Sequence, residues 1–478
     1  MVASLCALPV VVRAAGADAA PDPHVDWLRE HAVELETIDP AAPGFSDLEP
    51  LRQSLEGVRV VLLGEATRGE GSTLLAKDRL IRFLHEEMGF DVLVLDCGFY
   101  QCARGWQAAR AAADAEAAKQ DLVDAMAPMR LYTESAQFQP LLDYVVAQRR
   151  AERPLVVAGA GPELGAQGKN LFAELRRILP RLGAAAGDVP GFEQAATIVD
   201  GIGSGAFTTG EKPMPSAADR ERFAATLAEL QRRLRAPQDR LRAPPAAGGA
   251  QETGDGAGEA SDGPAAAPPG ADELALYRRA LDNLTVEARM TWEIGVFRPG
   301  HGISPDVTTL VNRQTADNLL WLARQRYPEQ KIVVSARTVF LARHLSRLET
   351  GDRAAKARFE RFTTIGDVLE EALGDQAYIV GFTAFEGRAG TPFHAPHALL
   401  EPTPGSFEDL MGRTGLTAAF VDLRGLRQKG RPARWLTRPL IARPLSFKEL
   451  RGSWPRHLDA FVFLRTMEPS HLAGPALP

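Results

Sequence analysis

The sequence holds only three cysteines, Cys6, Cys97 and Cys102, at spacings that match no metal-binding pattern. That excludes a disulfide-scaffold fold and a zinc-finger type of site. Cys97 and Cys102 lie close in the chain, but sequence does not decide a disulfide. Two partly buried free thiols are the expectation. No apolar run reaches the roughly 20 residues that a membrane helix needs, so no membrane span is expected. Neither sign of charge is in excess: 55 basic residues face 61 acidic ones, a formal net charge of −6. Such a balance leaves no footprint for nucleic acid or an anionic membrane surface. Also absent are a GxSxG elbow, HExxH, a P-loop and GxGxxG. The histidines are scattered, and His394 and His397 form an H-x-x-H with no further ligand nearby in sequence. A solvent-facing loop accounts for that pair, and neither a metal nor a cofactor is expected.

What is present is ordinary globular material, 45% hydrophobic and 24% charged. The length suits two or three domains, or one large domain with insertions. The densest pattern runs from Val58 to Tyr100. An apolar run, Val60 to Leu63, stops at Gly64. A polar turn follows, Glu65 to Gly69. Leu74, Leu75, Leu80, Ile81, Leu84 and Met88 then mark one face of a helix, with Lys77, Arg82 and Glu86 as candidates for the other side. Gly89 is a helix stop, and Val92 to Leu95 is a second apolar run ending in Asp96. Strand, loop, helix and strand make the βαβ unit of a parallel sheet.

Further strands are expected at Arg153 to Gly159, Lys331 to Ser335, Gln376 to Thr383, Thr417 to Leu423 and Leu458 to Leu464. Helical patterns lie between most of them, including one from Phe340 to Arg347. The fold class is therefore α/β, with a largely parallel sheet flanked by helices. A mostly helical block, 166–309, interrupts the alternation as an inserted subdomain. It divides the α/β core into 21–165 and 310–478. Within the block, 242–272 is rich in Pro, Gly and Ala and nearly free of large apolar residues. Such a stretch cannot offset its chain entropy by burial, so it reads as a disordered insertion. Residues 1–20 combine an apolar Leu5 to Val12 with Ala17-Asp18-Ala19, which resembles the end of a secretory signal. No basic segment precedes it and Arg13 interrupts it. A truncated signal, hence a periplasmic or secreted protein, is slightly favoured over an Ala-rich leader on a cytoplasmic one.

Ligands on parallel sheets gather at the carboxyl ends of strands. Those ends here carry Glu65 and Arg68, Asp96, Arg337 and Glu386, and the helix before Arg337 offers Arg313. Acid and base in one cleft suit hydrolysis, a carboxylate activating water and a cation stabilising an oxyanion. Salt bridges at loop ends account for the same residues somewhat better on the residues alone.

Several longer motifs resemble the erythromycin esterase family. Val61-Leu-Leu-Gly-Glu-Ala-Thr-Arg-Gly69 is similar to its strand followed by G-E-A-T-H-G. Leu80-Ile-Arg-Phe-Leu-His-Glu-Glu-Met-Gly-Phe90 is similar to its L-I-R-F-L-x-E-E-x-G-F. Gln314-Thr-Ala-Asp-Asn-Leu-Leu-Trp-Leu322 resembles its M-A-E-N-L-x-W-L, and Gly381-Phe-Thr-Ala-Phe-Glu-Gly387 its G-F-T-F-G-E-G. The resemblance spans about Ala32 to Pro469. It implies an α/β core with a helical subdomain, a cleft between them, and hydrolysis of a macrolide lactone ester.

On the family pattern, Glu65 is the turn glutamate and Asp96 the acid after the second strand. Lys77 falls on its basic helix position and Arg313 on the arginine of the helix before the fourth strand. The water-activating histidine falls on Arg68, and the two histidines of A-H-N-A-H fall on Arg337 and Phe340. The aspartate expected after the third strand is replaced at Ala158-Gly159-Ala160. Histidine serves as a base because its pKa lies near neutrality, whereas arginine stays protonated and phenylalanine has no proton to exchange. Glu65, Asp96 or Glu386 could act only with a raised pKa, and neighbouring arginines work against that. Three readings follow. The first is a family member with ester hydrolysis lost or weak, whose Arg68, Arg337, Arg313 and Lys77 bind an anionic small molecule. The second is a hydrolase of another ester that uses carboxylates. In the third, arginines pair with carboxylates and plug the cleft.

Overall fold

The computed structural model describes residues 22–68, 70–165, 168–242, 270–296, 303–427 and 431–474. The leader 1–20 lies outside the described residues, as does nearly all of the stretch 242–272. At its margins Arg242 still ends one helix and Ala271 already begins the next. That shortens the interruption at both ends.

The main sheet contains β1 (Val33–Glu34), β2 (Val60–Glu65), β3 (Val92–Gly98), β4 (Val156–Gly161), β5 (Ile332–Arg337), β6 (Ala377–Ala389), β7 (His397–Ala398) and β8 (Ala418–Asp422). It is completed by β11 (Ala460–Met467), while β9 (Leu440–Ala442) and β10 (Leu450–Gly452) form a separate pair. The spatial order is β1-β8-β11-β6-β2-β5-β3-β4, with β7 paired to the end of β6. All neighbours from β11 through β6, β2, β5, β3 to β4 run parallel. After β2 the chain fills one side of the sheet, and after β5 it fills the other. The carboxyl ends of β2, β5, β3 and β4 therefore lie side by side, where a topological switch leaves a crevice.

Strand alternation sorts the core into two layers. Val60, Leu62, Val94 and Val334 face a layer that includes Leu171, Leu230 and Leu281 of the helices between β4 and β5. Val61, Leu63, Leu93 and Val333 face Ile81, Trp106, Leu122 and Val145 on the other side. Each fully buried leucine, such as Leu62 or Leu281, contributes roughly 1.5–3 kcal/mol through removal from water. The helical block thus shares one continuous core with the sheet.

Local expectations fail in three places. The helix Gly71–Met88 does end on Gly89, in the left-handed region at φ 73°. Lys77, however, is buried with only 2% exposure, along with Asp78 and Arg79. The helix is covered by sheet and by helices, so a one-sided pattern underestimates its burial. The helix after β5 is one turn, Thr338–Leu341, because Ala342 is extended at ψ 140°, and the left-handed His344 at φ 53° then leads into a separate turn, Leu345–Arg347. Cys97 and Cys102 form a disulfide rather than two free thiols. The chain passes directly from β3 into the helix Phe99–Ala111, which brings the two side chains together. Among the described residues no helix is long and apolar enough to cross a membrane.

Candidate active site

Glu65 ends β2 and is 1% exposed. Its carboxylate is fully engaged. Lys77 Nζ donates to Oε2 at 2.8 Å, and to Ser335 Oγ at 3.2 Å. The Tyr132 hydroxyl donates to Oε1. Gly64 is required just before it, since a Cβ there would stand 2.8 Å from Thr338 Oγ1. That hydroxyl donates to the carbonyls of Gly64 and Glu65 and fixes the strand end.

The turn that follows carries Arg68. It is held by Glu70, whose carboxyl accepts from the Thr67 backbone N–H and hydroxyl and from Thr73 Oγ1. Burial pushes the Glu70 pKa up to about 7, against the lowering effect of those hydroxyls. Arg68 Nη2 donates to Asp96 Oδ2 at 2.8 Å, from the end of β3. Burial works to lower the Arg68 pKa, but Asp96, Tyr132 and Glu65 together outweigh burial and raise it. Its Nε is buried with no partner among the described residues.

Arg337 ends β5, in register with Glu65. Its Nη2 donates to Ser446 Oγ at 3.3 Å, and its guanidinium stands 5.7 Å from the centre of the Phe340 ring. Among the described residues no carboxylate pairs with it, and its Nε is a second buried donor without a partner. Burial, then repulsion from Arg68, lower its pKa. Of the three cations clustered here, Lys77 has Glu65, Arg68 has Asp96, and Arg337 has neither.

The loop after β4 brings a further acid, Glu163. Gly161 makes room for it, since a Cβ there would lie 2.2 Å from Glu163 Oε2. Gly98 of β3 does the same for its backbone, with a Cβ position 2.0 Å from the Glu163 carbonyl. Burial raises the pKa of Glu163 and the charge on Asp96 raises it further, while its own backbone N–H and Arg68 oppose. The loop is clamped from the helical block. Glu287 accepts from the Leu164 N–H at 3.0 Å and the Gly165 N–H at 3.1 Å. Burial pushes the Glu287 pKa up to about 7.

Above these groups opens a cleft of about 380 Å³. Arg68, Asp96 and Glu163 line it, and Phe340, Val311, Leu319 and Ile365 supply much of its apolar wall. The structure therefore brings together Glu65, Arg68, Asp96, Arg337, Phe340 and Lys77. Lys77 is sealed beneath Glu65 rather than open to a ligand. Two residues named from the sequence are elsewhere. Thr308, Val311, Asn312, Thr315 and Leu319 point one face of their helix at the cleft, which turns Arg313 outward into solvent. Glu386 sits on the exposed extension of β6, opposite Thr466 of β11. His394 bonds Thr391, and both it and His397 are exposed. Sequence reasoning missed Tyr132, Glu163 and Glu287. Glu163 alone left a signal, an acid shortly after a Gly-rich strand end.

A mostly parallel sheet covered on both faces, with its polar cluster at the strand ends, defines an α/β protein with a cleft at the carboxyl edge of its sheet. The erythromycin esterase family model matches residues 85–467, and the chain belongs to that family. YbfO of Bacillus subtilis (strain 168), a protein that carries the name of a hydrolase, is 22% identical over 457 residues, covering 93% of this chain and 91% of YbfO. Three solved structures share the fold. A Bacillus cereus protein superposes with a TM-score of 0.67 at 17% identity, covering 94% of this chain and 98% of its own. A succinoglycan biosynthesis protein does so with 0.67 at 16%, with the same coverage, 94% and 98%. A histidine-to-asparagine mutant of erythromycin esterase EreC, in its open conformation, gives 0.62 at 15%, covering 90% of this chain and 96% of that one.

Proposed function

We propose that this family member keeps the cleft as a small-molecule binding site and has lost histidine-dependent ester hydrolysis. The observation that carries the reading is Arg68. It stands where the family pattern has its water-activating histidine, and it is ion-paired to Asp96 at 2.8 Å. A guanidinium cannot take a proton from water at neutral pH. Glu65 is also unfit as a base, because Lys77 and Tyr132 occupy both of its oxygens. A positioned base is worth about 10²–10⁴-fold in rate, so its loss removes most of the expected turnover.

One observation favours a second reading. Glu163 lines the cleft, has no cation paired to it among the described residues, and has a raised pKa. A carboxylate in that state can accept a proton from water while Arg68 faces the developing oxyanion. The test is an assay of a macrolide lactone and of p-nitrophenyl esters on the purified chain. No turnover above the buffer rate is expected. The triple variant Arg68→His, Arg337→His, Phe340→His is expected to gain measurable hydrolysis. Turnover by the unaltered chain sinks the first reading, and its loss in Glu163→Gln establishes the second.

A further inference from the structure

We propose that the cleft takes an amphipathic organic anion, with its apolar body against Val311, Leu319, Ile365 and Phe340 and a single carboxylate received by Arg68 in the cleft wall and by Arg337, which borders that wall beside Phe340. This rests on the reading of the cleft as a binding site and names the class of its ligand. Three observations converge on it.

The first is charge. Glu65 is matched by Lys77 and Asp96 by Arg68, each at 2.8 Å, which leaves Arg337 half-buried with no carboxylate among the described residues. A guanidinium withdrawn from water without a counter-ion is unfavourable, and an anion supplied from outside removes that cost. Glu163, the acid in the cleft wall with no cation paired to it among the described residues, opposes this positive excess, and Arg358 in the same wall offsets that acid.

The second is donor geometry. Arg68 and Arg337 each keep an Nη1 with no acceptor among the described residues, while the Nε of each is closed off. Arg68 spends Nη2 on Asp96, and Arg337 spends Nη2 on Ser446 Oγ, a neutral hydroxyl at 3.3 Å. Unspent guanidinium N–H groups suit the paired oxygens of a carboxylate, which guanidinium forks bind bidentately.

The third is the wall. A small inorganic anion would leave about 380 Å³ of largely apolar cleft unfilled. A drug-sized molecule with one polar end fits such a site. Phe340 joins the two parts, since its ring lines the cleft and also lies under the Arg337 guanidinium.

The experiment is isothermal titration of the full chain with octanoate, 1-octanol, octylamine, acetate and inorganic phosphate. Octanoate is expected to bind at least tenfold more tightly than each of the other four. Arg337→Met is expected to weaken octanoate at least tenfold and to leave octanol unchanged, with Arg337→Lys intermediate because it restores charge without the fork. A thermal melt of each variant checks that it is folded. Equal affinity for octanoate, octanol and octylamine overturns the proposal. So does octanoate binding that survives in folded Arg337→Met, and so does an absence of binding by every probe. Ester turnover by the native chain would sink the non-hydrolytic reading while leaving the headgroup preference measurable, so the two can fail separately.

Discussion

The two ends of the parallel sheet handle charge in opposite ways. At the amino ends, Asp459 stands one residue before β11. Its Oδ1 accepts from Arg343 at 2.9 Å and from Arg424 at 3.0 Å, and its Oδ2 from the Ile379 N–H at 2.8 Å. One acid there ties three segments of chain together. At the carboxyl ends, Arg337 has no acid and Glu163 has no base among the described residues. Structural clusters close on themselves because an unpaired buried charge destabilises the fold. A cluster left open at the mouth of a cleft is stabilised only when something enters. The difference separates polar groups that hold the fold from those that wait for a ligand.

That contrast can be broken by substitution. The largest effect belongs to the closed cluster. Asp459→Ala leaves Arg343, which is 8% exposed, with Glu370 at 3.7 Å as its remaining acid among the described residues, and is expected to cost about 3–5 kcal/mol in urea unfolding. A loss below about 1 kcal/mol would erase the distinction. Next comes Glu287. Its pKa rises from 4.5 unfolded to about 7 folded, so the folded state holds the extra proton between those values. Its contribution is therefore fully present below about pH 4.5 and is lost as pH rises through about 7. At 1.36 kcal/mol per unit, that is up to about 3 kcal/mol. Unfolding at pH 5 and pH 8 should show a smaller decline in Glu287→Gln than in the native chain, whereas an equal decline would refute the assignment.

A smaller effect is expected in the open cluster. Arg337→Met removes a charge that its surroundings disfavour, so stability should change by no more than about 1 kcal/mol, in either direction. A loss comparable to that of Asp459→Ala would mean Arg337 is structural after all. Smallest is Arg313→Ala. On an outward helix face it should alter stability by less than about 0.5 kcal/mol and leave octanoate affinity unchanged.

The strands were readable because each is a short, continuous apolar run bounded by turn residues, as in Val60 to Leu63 or Phe461 to Leu464. Their polar ends followed from the rule for parallel sheets, which is why Glu65, Arg68, Asp96 and Arg337 could be named together. What stayed hidden depends on contacts between distant segments. Lys77 looked like a solvent-side or ligand-facing lysine, yet Tyr132 and Glu65 close over it from elsewhere in the chain. Glu163 follows its strand by two residues and enters the cleft only because Gly98 and Gly161 leave it room. The Cys97–Cys102 bond turned on a spatial separation that sequence does not carry. Arg313 was misplaced because family position says which helix a residue lies on, not which way it faces.

Glu287 also has a mechanical meaning. It belongs to the helix Ala271–Ile294, and its two acceptor bonds reach the loop that presents Glu163. Block and sheet are thus stitched by a carboxylate, each bond to such a group being worth about 1.5–3 kcal/mol when ionised. Any movement of that helix away from the sheet must either tear those bonds or drag the loop along. While those bonds hold, the width of the cleft and the position of Glu163 change together.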